Sequence, residues 1–137
     1  MEPRVTVTGN AGASVTHRVT PTTNTHIAEF TLASTRRIMR DGQWTDAPTT
    51  WLHVRCFGKL ADNAASSVSK GDPLVVTGRI EFDSWKTADG ETRTKMWLIA
   101  DAMGHDLSRG VASFRRLAKV DDGGSVQEPA TVSRLAS

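Results

Sequence analysis

The chain has 137 residues, 17 Lys and Arg against 15 Asp and Glu for a formal charge of +2, and 38% apolar residues. That length suits one domain of roughly 100–110 residues with a modest core plus an appendage, and so small a charge imbalance excludes capture of a polyanion by global charge alone. Its single cysteine excludes an internal disulfide and a cysteine-based zinc site, and no apolar run approaches the ~18 residues of a membrane span.

The amino terminus, Met1-Glu2-Pro3-Arg4, lacks the charged-then-apolar pattern that directs secretion. Arg4 is the first candidate cation. Val5-Thr6-Val7-Thr8 is a β-branched run, and Gly9-Asn10-Ala11-Gly12 reads as the turn or bulge that closes it. Ser14 to Val19 resumes the strand pattern and stops at the hairpin loop Pro21-Thr22-Thr23-Asn24. Ile27 to Ser34 then sets Ala28, Phe30 and Leu32 on one face and Ile27, Glu29 and Thr31 on the other, completing a three-strand meander.

Thr35 to Pro48 reads as a long hairpin loop, with Arg36, Arg37 and Arg40 near its base, Asp41-Gly42 as turn chemistry and Trp44 beyond. Alone, such a cluster is solvated surface; its place directly before an aromatic strand makes it a candidate part of a shared site. In that strand, Trp51 to Phe57, the residues Leu52, Val54 and Cys56 form a core face. The opposite face carries Trp51, His53, Arg55 and Phe57, two aromatics and two potential cations where a solvated strand would carry Thr, Ser, Lys or Glu. Cys56 reads as a buried, inert thiol, with a cross-subunit disulfide as the alternative.

At Gly58 the period changes, and Leu60, Ala61, Ala64, Ala65 and Val68 recur at helical spacing until Lys70-Gly71, a last-turn cation and a glycine suited to a left-handed cap. Leu74 to Phe82 is the next strand, in which Gly78 marks a bulge or tight bend. Ser84-Trp85-Lys86 leads into a second Asp-Gly hairpin signal at Thr87 to Gly90. In the return strand, Thr92 to Ala102, Arg93, Lys95, Trp97 and Ile99 oppose Thr94, Met96, Leu98, Ala100 and Ala102. Trp97 beside Ile99 suggests a packing surface rather than a platform.

This β-β-β-β-α-β-β order predicts an all-β fold with one helix, a five-stranded OB-type Greek-key barrel. Such barrels bind oligonucleotides on an exposed sheet face. Stacking on Trp or Phe contributes about 1–3 kcal/mol per base for any sequence, and phosphates add a log–log salt slope of roughly −0.7 each on a single strand. Catalysis finds no support and no cofactor is implied. His17, His26, His53 and His105 are scattered, none pairs with a carboxylate or with Cys56 at zinc-ligand spacing, and there is no Gly-rich phosphate loop or nucleophile elbow. Asp62, Asp72, Glu81 and Asp83 read as solvated charges.

Five stretches in order carry a family resemblance: Val5 to Gly12, Ala28 to Ala33, Thr50 to Ala61, Lys70 to Arg79, and Trp85 before Asp89-Gly90. Together they resemble the bacterial single-stranded DNA-binding proteins, over about Arg4 to Leu107. The resemblance implies a homotetramer that wraps single-stranded DNA without sequence preference, in the cytoplasm with the nucleoid, during replication, recombination and repair. It places base stacking at Trp51, Phe57 and Trp85 and cations at Arg4, Lys59, Lys70 and Arg79. With the interleaved face and the flanking arginines, the candidate interface is Arg4, Arg36, Arg37, Arg40, Trp51, His53, Arg55, Phe57, Lys59, Lys70, Arg79, Trp85 and Lys86. Ile38 stands where the family would place a stacking tryptophan, and Trp44 is the candidate replacement. The rival reading is an OB barrel serving as an RNA-binding or protein-interaction module.

The expected division is a binding domain over residues 1–109 and a flexible tail over 110–137. Val111 to Val120 has the makings of a short amphipathic turn or helix, too short to be stable alone, and from Asp121 onward turn-rich, weakly apolar composition predicts disorder. The tail ends Ser133-Arg-Leu-Ala-Ser137 without the acidic, apolar-tipped peptide of long-tailed members. The expectation is a short paralogue that recruits replication and repair enzymes weakly or not at all, with a specialised duty such as DNA uptake or chromosome segregation; the alternative is a natural chain that continues past Ser137.

Overall fold

β-branched and alternating segments close on one another because each has one apolar face to bury. The computed structural model describes residues 3–34, 37–46 and 48–117. Its elements are β1 (Arg4–Ala11), β2 (Thr16–Val19), β3 (His26–Ser34), β4 (Arg37–Arg40), β5 (Gln43–Asp46), β6 (Thr50–Phe57), α1 (Gly58–Ser67), β7 (Pro73–Lys86) and β8 (Thr92–His105). The main sheet runs β1-β7-β8-β6-β3-β2, and β1 also pairs with β3 through Asn10 opposite Ala33 and Ala11 opposite Leu32. Five strands thereby form a closed barrel with β2 added beside β3, and the β6–β8 pair is parallel. This is the expected OB-type Greek-key order.

Alternation fills the barrel. Leu32, Val54, Cys56, Leu74, Val76 and Leu98 are buried completely or nearly so, and Ala61 and Ala64 bring α1 onto the same core. Gly78 works as its position suggested: the β7–β8 register shifts between Thr77 and Gly78, where a Cβ would collide with the Ile99 carbonyl. That irregularity lets one strand serve the barrel wall and then run on as an arm to Lys86.

Three local expectations change. Gly9, Asn10 and Ala11 belong to β1 instead of closing it; a Cβ on Gly9 would lie 2.5 Å from the Ala33 carbonyl oxygen, so the glycine answers a close backbone approach, not a turn. Helix α1 stops at Ser67, Val68 being extended, so Lys70 is not in its last turn. Gly71 uses its positive φ of 92° in a separate turn, which Asp72 caps by accepting the Ser69 N–H at 2.9 Å. The loop of Thr35 to Pro48 contains a small two-stranded hairpin, β4–β5, turning at Asp41-Gly42 with φ values of 52° and 76°, the primed geometry that Asp-Gly favours.

The chain divides into two units at Asp106–Leu107. In the second, the described residues 107–117 contain no helix and leave Leu107, Val111, Phe114 and Leu117 exposed. The described part of the expected amphipathic segment is therefore not helical, in keeping with the weakness of a single unsupported turn. The disorder expected from Asp121 falls outside the described residues.

Candidate nucleic-acid interface

Register decides which side chains share the outer face, because directly opposed residues project to the same side. β3 and β6 set Ala33 opposite Trp51, Thr31 opposite His53, Glu29 opposite Arg55 and Ile27 opposite Phe57. β6 continues onto β8 through His53–Trp97 and Arg55–Ile99, and β8 onto β7 through Trp97–Glu81, Lys95–Asp83 and Arg93–Trp85. One outer surface thus runs from Trp51 to Trp85. On it Trp51 is 58% exposed, Trp85 47% and Phe57 42%, whereas Trp97 is only 7% exposed. The first three are open to solvent; Trp97 packs, as its neighbour Ile99 suggested.

The burial of Trp97 has an electrostatic cause. The Arg55 guanidinium lies 3.9 Å above its ring centroid, the Lys95 ammonium 4.6 Å away, and the His53 ring is tilted against it at 5.4 Å. Arg55 Nε also donates to Glu29 Oε2 at 2.6 Å, and its guanidinium is 3.7 Å from Asp83. Arg18 adds a 3.7 Å contact to the same Glu29. Arg55 is thus held by acids and by the indole, so a phosphate would have to compete for it. Burial, and then the positive charge of Lys95, lowers the His53 pKa below the usual 6.5, leaving a neutral ring at neutral pH.

Trp51 has a different support. Gly12 lies outside the left-handed region, yet a Cβ there would come 2.6 Å from Trp51 Cζ3 and 2.9 Å from Thr31 Oγ1. The glycine therefore makes room for the indole. Beside it, Ala13, Ser14, Thr31, His53 and Trp97 border a recess of about 210 Å³.

The other expected cations are spread around this face. Arg4 pairs with Asp101 at 2.5 Å, and its cross-strand neighbour Arg79 donates to Glu81 at 2.7 Å. Lys59 at the start of α1, Lys70 in the turn after it, and Lys86 beside Trp85 are exposed, and none makes an ion pair among the described residues. Arg37 and Arg40 lie opposite Asp46 and Gln43 in the β4–β5 ladder; their side chains, and all of Arg36, lie outside the described residues. In the same ladder Trp44 opposes Met39, both exposed, while Ile38 opposes Thr45. Met39 and Trp44 therefore share one side of the hairpin.

Several acids are not simply solvated. Asp62 accepts from His17 and His26, Asp72 meets His105 at 3.1 Å, Glu81 takes Arg79, and Asp83 faces Arg55. The sequence separation that left these histidines without a carboxylate at zinc-ligand spacing is bridged by the fold, which brings His17 and His26 to Asp62 on α1 and His105 to Asp72 in the turn before β7. Candidate residues that sequence reasoning passed over are Lys95, Arg93, Gly12 and Phe82, the last exposed on the opposite side of the β7–β8 arm from Trp85. Strict alternation marked Arg93 and Lys95 for the outer face; nothing in the sequence marked Gly12.

The model of the Single-strand binding protein family matches residues 3–106. The chain is 32% identical over 128 residues to the single-stranded DNA-binding protein of Mycobacterium tuberculosis, covering 92% of this chain and 77% of that one. It is 39% identical over 102 residues to single-stranded DNA-binding protein 1 of Streptomyces coelicolor, covering 73% and 65%. The crystal structure of a small single-stranded DNA-binding protein from Streptomyces coelicolor superposes with a TM-score of 0.70 and 34% identity, covering 80% of this chain and 99% of that one.

Proposed function

Because this chain belongs to the single-strand binding protein family, a family of non-enzymatic DNA-binding proteins, we propose that it binds and protects unpaired DNA by stacking bases on outward-facing rings while flanking cations meet the phosphates. The observation that carries this reading is the exposure of Trp51, Phe57 and Trp85 on one outer barrel face whose fourth ring, Trp97, is sealed beneath Arg55 and Lys95. Rings anchored on sheet strands lose little freedom on stacking, and every base offers a π face, so the preference is for single strands over duplexes and not for a sequence.

In this reading Trp51, Phe57 and Trp85 are the stacking platforms, and an unpaired base can enter the recess beside Trp51. Lys59, Lys70, Lys86 and the arginines of the β4–β5 hairpin supply phosphate contacts, with Arg4 and Arg79 along the β1–β7 edge. Arg55 and His53 form the floor that keeps Trp97 closed, and a phosphate recruits Arg55 only by displacing Glu29. The binding domain corresponds to residues 1–109. The proposed setting is a homotetramer in the cytoplasm, on nucleoid DNA exposed in replication, recombination or repair. No helix among the described residues is long and apolar enough to cross a membrane.

With four tryptophans and no tyrosine, intrinsic fluorescence reports the interaction directly. A thymidine oligomer should quench it strongly, a duplex of equal length weakly, and added salt should reverse the quenching. An unchanged signal with DNA, or equal affinity for the duplex, would overturn the proposal in favour of a protein-interaction module. Tighter binding to the RNA oligomer of matched sequence would point to the RNA reading instead.

A further inference from the structure

We propose that His17, His26 and Asp62 form a site for a divalent transition-metal ion, of the zinc type, that ties the β2–β3 hairpin to helix α1. The three residues come from three elements, β2, β3 and α1. His17 Nε2 and His26 Nδ1 each stand 2.7 Å from the same oxygen, Asp62 Oδ1. The three candidate ligand atoms lie within 4.8 Å of one another, and the two imidazole rings are 5.8 Å apart at 65°. Ligands bound at about 2.0–2.1 Å in a tetrahedron stand roughly 3.3 Å from each other, so an ion needs each imidazole to part from the carboxylate oxygen by about half an ångström and the two ring nitrogens, within 4.8 Å of each other, to settle at that same spacing.

The donor set selects the ion. Two neutral imidazoles and one carboxylate suit zinc, cobalt, nickel or copper, whereas magnesium and calcium call for more oxygen ligands. The side chains are a third to nearly a half exposed, which leaves the remaining coordination positions to water. A further imidazole–carboxylate contact, His105 with Asp72, offers only two ligands.

The site is separate from the aromatic face. His26 shares its side of β3 with Ala28, Phe30 and Leu32, which point into the barrel and toward α1, while Glu29 and Thr31 point to the opposite side with Arg55 and His53. Among the described residues β2 is an edge strand that pairs only with β3, so an ion bridging it to α1 would secure that edge. The inference stands on these residues alone and does not depend on DNA binding.

The test uses the full chain, stripped with a chelator and then titrated with zinc. Zinc should raise the melting temperature by at least about 5 °C at a hundredfold excess over its dissociation constant, with magnesium inert. Both the shift and the calorimetric binding should fall at least tenfold in affinity in His17→Ala and in Asp62→Asn, while the affinity of each variant for a thymidine oligomer stays at the parent value. Cobalt added to the unmodified protein should give visible absorption bands of an imidazole-ligated ion, a readout that needs no variant to fold. Absence of those bands, or zinc binding that is as tight in His17→Ala as in the parent, would overturn the proposal.

Discussion

Replacing Gly12 by Ala tests how Trp51 is held. The backbone at Gly12 lies outside the left-handed region, but the new Cβ would lie 2.9 Å from Thr31 Oγ1, a hydroxyl that can rotate away, and 2.6 Å from the indole, which must retreat by about 0.8 Å to reach ordinary contact near 3.4 Å. A gap of that size forfeits about a quarter to a half of a van der Waals contact. Applied to a stacking contribution of about 1–3 kcal/mol, the loss is roughly 0.3–1.5 kcal/mol, or about a two- to tenfold weaker dissociation constant. Trp51→Ala should lose the whole contribution, about five- to 150-fold. Anisotropy of a labelled thymidine oligomer measures both at fixed salt, and melting curves verify folding. In the Trp51→Ala background, Gly12→Ala should have almost no further effect. Equal weakening with and without the indole would refute this account of the glycine, as would no weakening at all.

Replacing Lys59, Lys70 or Lys86 with Gln should flatten the log–log salt dependence by roughly 0.7 for each phosphate no longer neutralised on a single strand; affinity measured across a salt series checks it. Cys56 is fully buried, and desolvation pushes its pKa up to about 11, so only about one thiol in a thousand would be ionised at pH 8. Alkylation should therefore be undetectable until denaturant opens the barrel, as mass spectrometry would record. The hydrogen bond from His17, followed by that from His26, lowers the Asp62 pKa below the usual carboxylate range. A depressed folded-state value means the stabilisation is complete above the unfolded value of about 4 and is lost as pH falls through the lower folded one. In chelator, the melting temperatures of parent and Asp62→Asn should differ by a constant amount above about pH 5 and converge below it; a gap that persists at pH 2 would contradict the pairing.

The barrel was legible because its strands alternate cleanly and its turns are chemically marked: Ala28, Phe30 and Leu32 face inward as their spacing requires, and Asp41-Gly42 turns the hairpin. Gly9 misled because a glycine demanded by a neighbouring carbonyl looks, in sequence, like a glycine demanded by a turn. The helix end misled because Lys70-Gly71 has cap chemistry that the fold uses in a later turn. On the site, periodicity placed Trp51, His53, Arg55 and Phe57 together but could not say that Glu29, 26 residues earlier, would occupy Arg55. It likewise could not show that Arg55 and Lys95 would close over Trp97, since alternation assigns a face and not a depth. The meeting of His17, His26 and Asp62 depends on how α1 seats against the hairpin, which only the folded chain reveals.

The central claim is that three exposed rings on one barrel face carry sequence-tolerant binding of unpaired DNA. Its most direct test is the affinity of the Trp51→Ala, Phe57→Ala, Trp85→Ala triple variant, shown by circular dichroism to be folded, for thymidine, cytidine and mixed-sequence oligomers. At about 1–3 kcal/mol per stacked base, affinity should drop at least roughly a hundredfold, and by the same factor for every sequence. Affinity within a fewfold of the parent, or a loss confined to one sequence, would contradict the account.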